Sequence, residues 1–309
     1  FNKVDYLGVA YVDEGVTLRQ SGCSLPIMVM NPNLDNIARL EQYNLEPEVY
    51  SLNALRKLDG YSGVRIHLKV DTGMHRLGVE IEEIHEVLEL LSKPNSPQVA
   101  SVFSHFAASE DEAFDDFSRE QIELYTAFSE RLVEGLDYPI IRHMSNTAGI
   151  RRFPDASFDM VRLGVGLYGV KTHQASDLQL DVVTELKSTI TQIKELKTGD
   201  SVGYGRSFVA TAPATSATIP IGYADGLSRR LSDGQGQFII NGQPAPILGK
   251  VCMDMVMVDV TNIDCREGDE VEIFGQQQAV EDLAAAAGTI AYEVIASIPD
   301  RVTRIFLQE

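Results

Sequence analysis

The chain has 309 residues, a formal net charge of −19, 44% hydrophobic content and no Trp, with a sequence pI of about 4.7. So acidic a surface repels nucleic acid and anionic membrane, and no partner of either kind is expected; an anionic small ligand in a locally positive pocket remains possible. Cys23, Cys252 and Cys265 are odd in number and lack CxxC spacing, which argues for a reducing, cytoplasmic compartment and against a disulfide framework or a metal site.

Short apolar runs alternate with helix-forming segments from the start. The extended runs are YLGVA, PIMVM (26–30), PEVYS (47–51), VRIHLKV (64–70), VASVFSHF (99–106), PIIRHMSN (139–146) and DMVRLGVGLYG (159–169). Between them lie VDEGVTLRQSG, NLDNIARLEQYN, LNALRKLDGYS, EIEEIHEVLELLSKP and FDDFSREQIELYTAFSERLVEGLD, which carry helical periodicity or helix formers. Strand–helix alternation with continuous apolar strands predicts a parallel sheet. A (β/α)8 barrel needs eight strands. A doubly wound sheet would carry a glycine-rich dinucleotide fingerprint after a strand, and none is present. The expectation is α/β: a TIM-type (β/α)8 barrel over residues 1–172, its first strand lying before Phe1. Beyond it the texture changes to short β runs, TELKSTITQIKEL, SATIPIGYA, GQFIING, APILGKVCMDMVMVDV and DEVEIFG, divided by turns such as NGQP and REGD. That predicts a C-terminal all-β domain over 173–309 with one Ala-rich helix, VEDLAAAAG. No run reaches the roughly 18 to 20 apolar residues that span a bilayer, and no signal peptide is visible.

Barrel active sites sit at the C-terminal strand ends. There the sequence places Lys69, Asp71 and Arg76 in KVDTGMHRLG, His105 in SHFA, His143, Asn146 and Thr147 in HMSNTAG, and Arg162, Gly164 and Gly166 in MVRLGVGLYG. Singly, each has a structural explanation: a satisfied histidine, a helix N-cap, a turn glycine. Basic and amide groups on four successive strand ends are harder to dismiss, because an arginine turned into a barrel mouth needs an acceptor or an aromatic ring. The last two strands of such barrels commonly hold phosphate, and Thr147 with the backbone near Gly164 and Gly166 suits one. In the β domain Tyr204 stands between two glycines, Tyr223 beside a turn, and Tyr292 after the Ala-rich helix; CMDM (252–255) reads as one face of a strand.

Taken together, KVDTGMHRLG, SHFA, HMSNTAG, MVRLGVGLYG, VGYGRSF, IPIGYADG, GKVCMDM, IAYEV and RVTRIF resemble, in order, the motifs of bacterial alanine racemases, fold-type-III enzymes dependent on pyridoxal phosphate. The resemblance implies a barrel followed by a β domain and a homodimer with shared active sites. It implies that Tyr204 is a catalytic base entering the partner's site. Arg162 would meet the pyridine nitrogen, and Arg76 the cofactor's phenolic oxygen and the substrate carboxylate. Thr147, Gly164, Val165 and Tyr292 would hold the phosphate, with Asn146 close by. Met253 and Asp254 would border the substrate and Tyr223 line the entrance, while His105 and His143 would support Arg162 and Tyr204. Lys69 matches a lysine carbamylated in many members, whose negative charge would fix Arg76. The family's Schiff-base lysine, in a motif ending Tyr-Gly-His-Gly, has no counterpart among lysines 3, 57, 69, 93, 171, 187, 194, 197 and 250, and is expected upstream of Phe1.

The implied activity is two-base interconversion of L- and D-alanine, with D-alanine feeding peptidoglycan. Tyrosine ionises near pH ~10 when free, so Tyr204 needs a cationic or hydrogen-bonding neighbour, for which His105 is the candidate. The cofactor ring delocalises the carbanion, and an arginine at its nitrogen, unable to give up a proton, disfavours transamination. The alternatives are a broad-specificity or serine racemase of the same fold, separable with larger amino acids, and a cofactor-binding remnant without catalysis.

Overall fold

The structure, a computed structural model, describes residues 3–172 and 180–307. Packing divides the chain between Gly164 and Val165. Val165 and Val170 are buried in the core of the second unit. The expected domain boundary, 172/173, therefore follows the division in packing, and residues 173–179 beside it lie outside the described residues.

In the first unit six parallel strands lie in sequence order: β1 (Leu7–Val9), β2 (Ile27–Val29), β3 (Glu46–Val49), β4 (Arg65–Lys69), β5 (Gln98–Phe103) and β6 (Ile141–His143). Helices α1 (Val12–Gln20), α2 (Ile37–Gln42), α3 (Leu52–Lys57), α4 (Ile84–Leu91), α5 (Asp115–Gly135) and α6 (Thr147–Arg152) alternate with them or follow. Ile84, Val87 and Leu91 show why such helices dock: their spacing puts one apolar stripe on the core. Ser51 caps α3 by accepting from Ala54 N–H.

Apart from the first residues of β4 and β5, the strands β2 to β5 are buried on both faces, but the faces differ. Alternation along each strand puts Val49, Ile66, Leu68 and Val102 toward the helical core. The residues between them, Glu46, Glu48, His67, Lys69, Ser101, Phe103 and His143, are equally inaccessible and share the other face. The sheet therefore has an apolar outside and a polar inside. That division places the chemistry.

The last two expected strands of this unit depart from their sequence runs. PIIRHMSN is strand only over Ile141–His143, because Asn146 turns the chain into α6. DMVRLGVGLYG is not a strand: Met160 makes one parallel bridge with His143, and Val165–Tyr168 form a 3-10 turn. The segment still lies seventh in the arc, since Asp159 N–H donates to Arg142 O and Arg162 N–H to Ser145 O.

The second unit is built on a seven-stranded antiparallel sheet. Its strands are β7 (Leu186–Thr189), β8 (Gln192–Leu196), β11 (Ala214–Ile219), β12 (Gln237–Ile240), β13 (Gln243–Leu248), β14 (Val256–Asp259) and β15 (Glu270–Phe274), in the order β7-β15-β12-β13-β14-β11-β8. A separate ribbon pairs β9 (Ser201–Val202) with β10 (Phe208–Val209). The Ala-rich segment is helix α7 (Val280–Ala287), followed by α8 (Ala291–Ala296). CMDM is not a strand but a loop between β13 and β14, with Met253 and Met255 about half exposed. Among the described residues no helix is long and apolar enough to cross a membrane.

One buried phenol ties the first unit's strand ends together. The Tyr125 hydroxyl donates to Val102 O at 2.8 Å and accepts from His143 N–H at 2.9 Å. Tyr125→Phe removes the acceptor of a buried N–H, which costs about 1–3 kcal/mol. Urea unfolding of the variant is expected to show that loss; an unchanged midpoint would contradict the bridge.

Candidate active site

Arg162 is the hub of the first unit. Its Nη1 donates to His143 Nδ1 at 2.7 Å, and its Nη2 to Ser104 O (2.7 Å), Met144 O (3.0 Å) and His105 Nδ1 (3.1 Å). The guanidinium also lies over the Phe103 ring, 5.2 Å from its centroid. Burial lowers its pKa only to about 10, so it stays charged at neutral pH. The Nε–H edge has no acceptor among the described residues.

The histidines around it are neutral. Burial and the facing Arg162 hold His143 well below the ordinary range, and the same causes bring His105 to about 3. His105 accepts from Arg162 through Nδ1, so its remaining proton sits on Nε2. Of the two ways His105 could serve as a neighbour, cationic or hydrogen-bonding, its ring offers a hydrogen-bond donor and not a charge. Gln121, fully buried on α5, positions this loop: it donates to His105 O and Thr72 Oγ1 and accepts from Ala107 N–H.

The β4 end explains the crowding of Lys69, Asp71 and Arg76. Lys69 turns inward, its ammonium 3.3 Å from Glu48 Oε1 and 5.4 Å from the Phe103 centroid. Burial pushes Glu48 up and Lys69 down, and each partly restores the other's charge. Asp71 shapes the loop, Oδ1 accepting from Gly73 and His75 N–H. The loop closes at Gly78, where φ is +145° and a Cβ would stand 2.2 Å from Asp71 N, so only glycine fits. Arg76 projects from this loop, exposed and without a hydrogen-bond partner among the described residues. It is free to meet an anionic group.

At the next strand end Asn146 Oδ1 accepts from Gly149 N–H and Ser109 Oγ, both at 2.9 Å, and so caps α6. Gly164 N–H reaches Thr147 Oγ1 at 3.4 Å.

In the second unit Tyr204 sits on a turn whose flanking Gly203 and Gly205 have φ of +73° and +67°, conformations that favour glycine. It is 72% exposed, which a packing tyrosine would not be. The Tyr223 turn and the CMDM loop are locked together, Tyr223 N–H donating to Cys252 O and Ala224 N–H to Met253 O. Arg301 clamps the same pair of loops, with contacts to Asp225 (2.9 Å) and Asp254 (2.7 Å). Val165 is buried in the core of this unit, so only its backbone can face a ligand, while Tyr292 is half exposed at the start of α8.

Residues 2–172 match the family model for the alanine racemase N-terminal domain, and residues 183–306 that for the C-terminal domain. The chain is 37% identical to an alanine racemase of Clostridium novyi over 326 aligned positions, covering 99% of this chain and 83% of that protein. The chain belongs to the alanine racemase family. Its fold is that of the alanine racemase of Clostridium difficile 630, at TM-score 0.88 and 34% identity, covering 97% of this chain and 81% of that one. It is also that of the alanine racemase of Bartonella henselae with covalently bound pyridoxal phosphate, at TM-score 0.90 and 28% identity, covering 99% and 86%.

The family depends on pyridoxal phosphate, and the donors present fit it. A pyridine nitrogen is an acceptor, and the open Nε–H edge of Arg162 is a donor held by four acceptors on its other nitrogens. Glu48, His67 and Ser101 escaped the sequence reading because they lie inside strand runs rather than at strand ends. Arg301 lay within a recognised motif, RVTRIF, but nothing local gave it a partner.

The Lys69–Glu48 pair bears on carbamylation. A carbamate on Lys69 would put a second anion against a buried carboxylate. The expected outcome is that 13C NMR in labelled bicarbonate shows no lysine carbamate in the native protein and shows one in Glu48→Gln. A carbamate signal in the native protein would contradict this account of the pair.

Proposed function

We propose that the chain interconverts L-alanine and D-alanine with pyridoxal phosphate, and that Arg162 presents its charged edge to the cofactor's ring nitrogen. The observation that carries this reading is the arginine itself: buried against an aromatic ring, fixed through both Nη atoms, and open at Nε. When bound, pyridoxal phosphate delocalises the electron pair left on Cα as the proton departs. Arg162 cannot readily surrender a proton, so it keeps the ring nitrogen an acceptor and restrains the cofactor from full transfer of the amino group.

Tyr204 is the base on one face of the substrate, supplied to the partner subunit's site in a homodimer. Its exposure and its glycine-flanked turn support that role. The neutral His105, with its proton on Nε2, can stabilise a phenolate by hydrogen bonding without adding charge. Arg76 binds the substrate carboxylate and the cofactor's phenolic oxygen, and the nearby Lys69–Glu48 pair shapes the field around it. Thr147, Gly164, Val165 and Tyr292 hold the phosphate, Asn146 setting the start of α6. Met253 and Asp254 border the substrate and Tyr223 the entrance, on loops held by Arg301. His143 stands behind Arg162. The cysteine pattern and the acidic surface favour the cytoplasm.

The test is D-alanine formation from L-alanine by the native protein with pyridoxal phosphate, alongside Tyr204→Phe. A lost general base costs about 10²–10⁴-fold, so the variant is expected to fall by that factor while still binding cofactor. Equal rates in the two proteins would remove Tyr204 from the reaction.

A further inference from the structure

The polar inside of the first sheet continues beyond His143, away from Arg162. His143 Nε2 lies 2.8 Å from Ser101 Oγ, and Ser101 Oγ lies 2.6 Å from His67 Nδ1. His67 Nε2 is 3.0 Å from Glu46 Oε2. Glu46 then reaches the rim, accepting from the Tyr6 hydroxyl at 2.5 Å and from Arg65 at 3.1 Å. His67, Ser101 and His143 are fully inaccessible, and Glu46 is 4% exposed. The contacts cross β3, β4, β5 and β6 and end on the arginine.

The arginine end fixes which way the protons point. A guanidinium only donates, so His143 Nδ1 must accept, and the ring's proton is on Nε2. That proton goes to Ser101 Oγ. The serine hydrogen then turns to the other neighbour, His67 Nδ1, which must also accept. The His67 proton is left on Nε2, which lies 3.0 Å from the Glu46 carboxylate in a charge contact without hydrogen-bond geometry. His143 and Ser101 each take one hydrogen bond and give one, and His67 takes one. We infer that Arg162, His143, Ser101 and His67 form a single directional hydrogen-bond chain, ending on the close contact of His67 with Glu46, that positions Arg162 and locks both histidines as neutral Nε2–H tautomers.

The chain is a strut, not a proton relay. A proton added to His143 would aim N–H at N–H of Arg162, and the arginine has no lone pair with which to pass a proton on. The groups facing each ring agree with this. His67 meets Glu46, the edge of the Tyr6 ring at 5.4 Å, and the nearby charge of Arg65. His143 meets Arg162, the stacked Phe103 ring at 5.1 Å and, through its backbone, Tyr125. Burial disfavours a charge on either ring. Ser101, His67 and Glu46 reach Arg162 only through His143, so they are positioning residues for it.

Long-range 1H–15N NMR of the 15N-histidine-labelled holoenzyme, from pH 5.5 to 8.5, tests the chain directly. His67 and His143 should each show a protonated Nε2 and a bare Nδ1 at every pH. In Ser101→Ala the His67 signals should leave that tautomer, and the dissociation constant for pyridoxal phosphate should rise about tenfold, the scale of one buried hydrogen bond. Ser101→Thr, which keeps the hydroxyl, should restore both. A serine with only a packing role would lower the melting temperature and leave signals and affinity alone. A proton on Nδ1 of either ring, or a doubly protonated ring above pH 6, would overturn the chain, and the native spectra decide this even if Ser101→Ala does not fold. The affinity readout rests on the cofactor reading of Arg162, whereas the tautomers do not. Tautomers as expected with unchanged affinity in Ser101→Ala would overturn the positioning of Arg162.

Discussion

Arg162 can only donate, so every polar atom set against it has to accept. This constraint organises the ends of β5 and β6. Ser104 O and Met144 O face the guanidinium, and His143 and His105 both turn a bare Nδ1 toward it. The supports behind those groups follow in turn: Gln121 holds the His105 loop, and Tyr125 holds the His143 backbone. A buried charge is costly unless it is hydrogen-bonded and paired with a suitable surface. Here the carbonyls, the histidines and the Phe103 ring share that task, and one edge of the arginine is left for a ligand.

The same logic explains a sheet with a polar inner face. Glu48 and Lys69 are each nearly inaccessible, and burial pushes both toward neutrality; 3.3 Å apart beside the Phe103 ring, each favours the other's charged form. Phe103 is thus shared by three groups, with His143 stacked on it and Lys69 and Arg162 over it. Removing either charge alone would leave the other buried and uncompensated, which is why such pairs are more sensitive to single changes than to joint replacement. The apolar outer face, with Ile66, Leu68 and Val102, carries the packing against the helices, so the inner face is free to hold chemistry.

Much of this was legible in the sequence. The α/β alternation, the β-rich second half and the Ala-rich helix α7 follow from periodicity and turn residues. The site residues at strand ends stood out because charges there break an apolar run: Arg76, His105, His143 and Arg162 are all of this kind. Glu46, Glu48, His67 and Ser101 were not legible, because alternation inside RIHLKV and VASVF looks the same whether the second face meets solvent, lipid or a polar interior. Two runs misled for a common reason. CMDM and DMVRLGVGLYG have strand-like composition, but in the first the backbone pairs with the Tyr223 turn, and in the second with Ser145 and Arg142, so neither completes a ladder. Such long-range backbone bonding leaves no local trace.

The most direct measurement is the protonation state of the cofactor's ring nitrogen, read by 15N NMR of the native protein loaded with ring-15N pyridoxal phosphate. The account predicts an unprotonated, pyridine-type nitrogen, because the group facing it is a guanidinium that keeps its protons. A pyridinium-type signal near neutral pH would contradict the role given to Arg162, and with it the reason for the network built behind it.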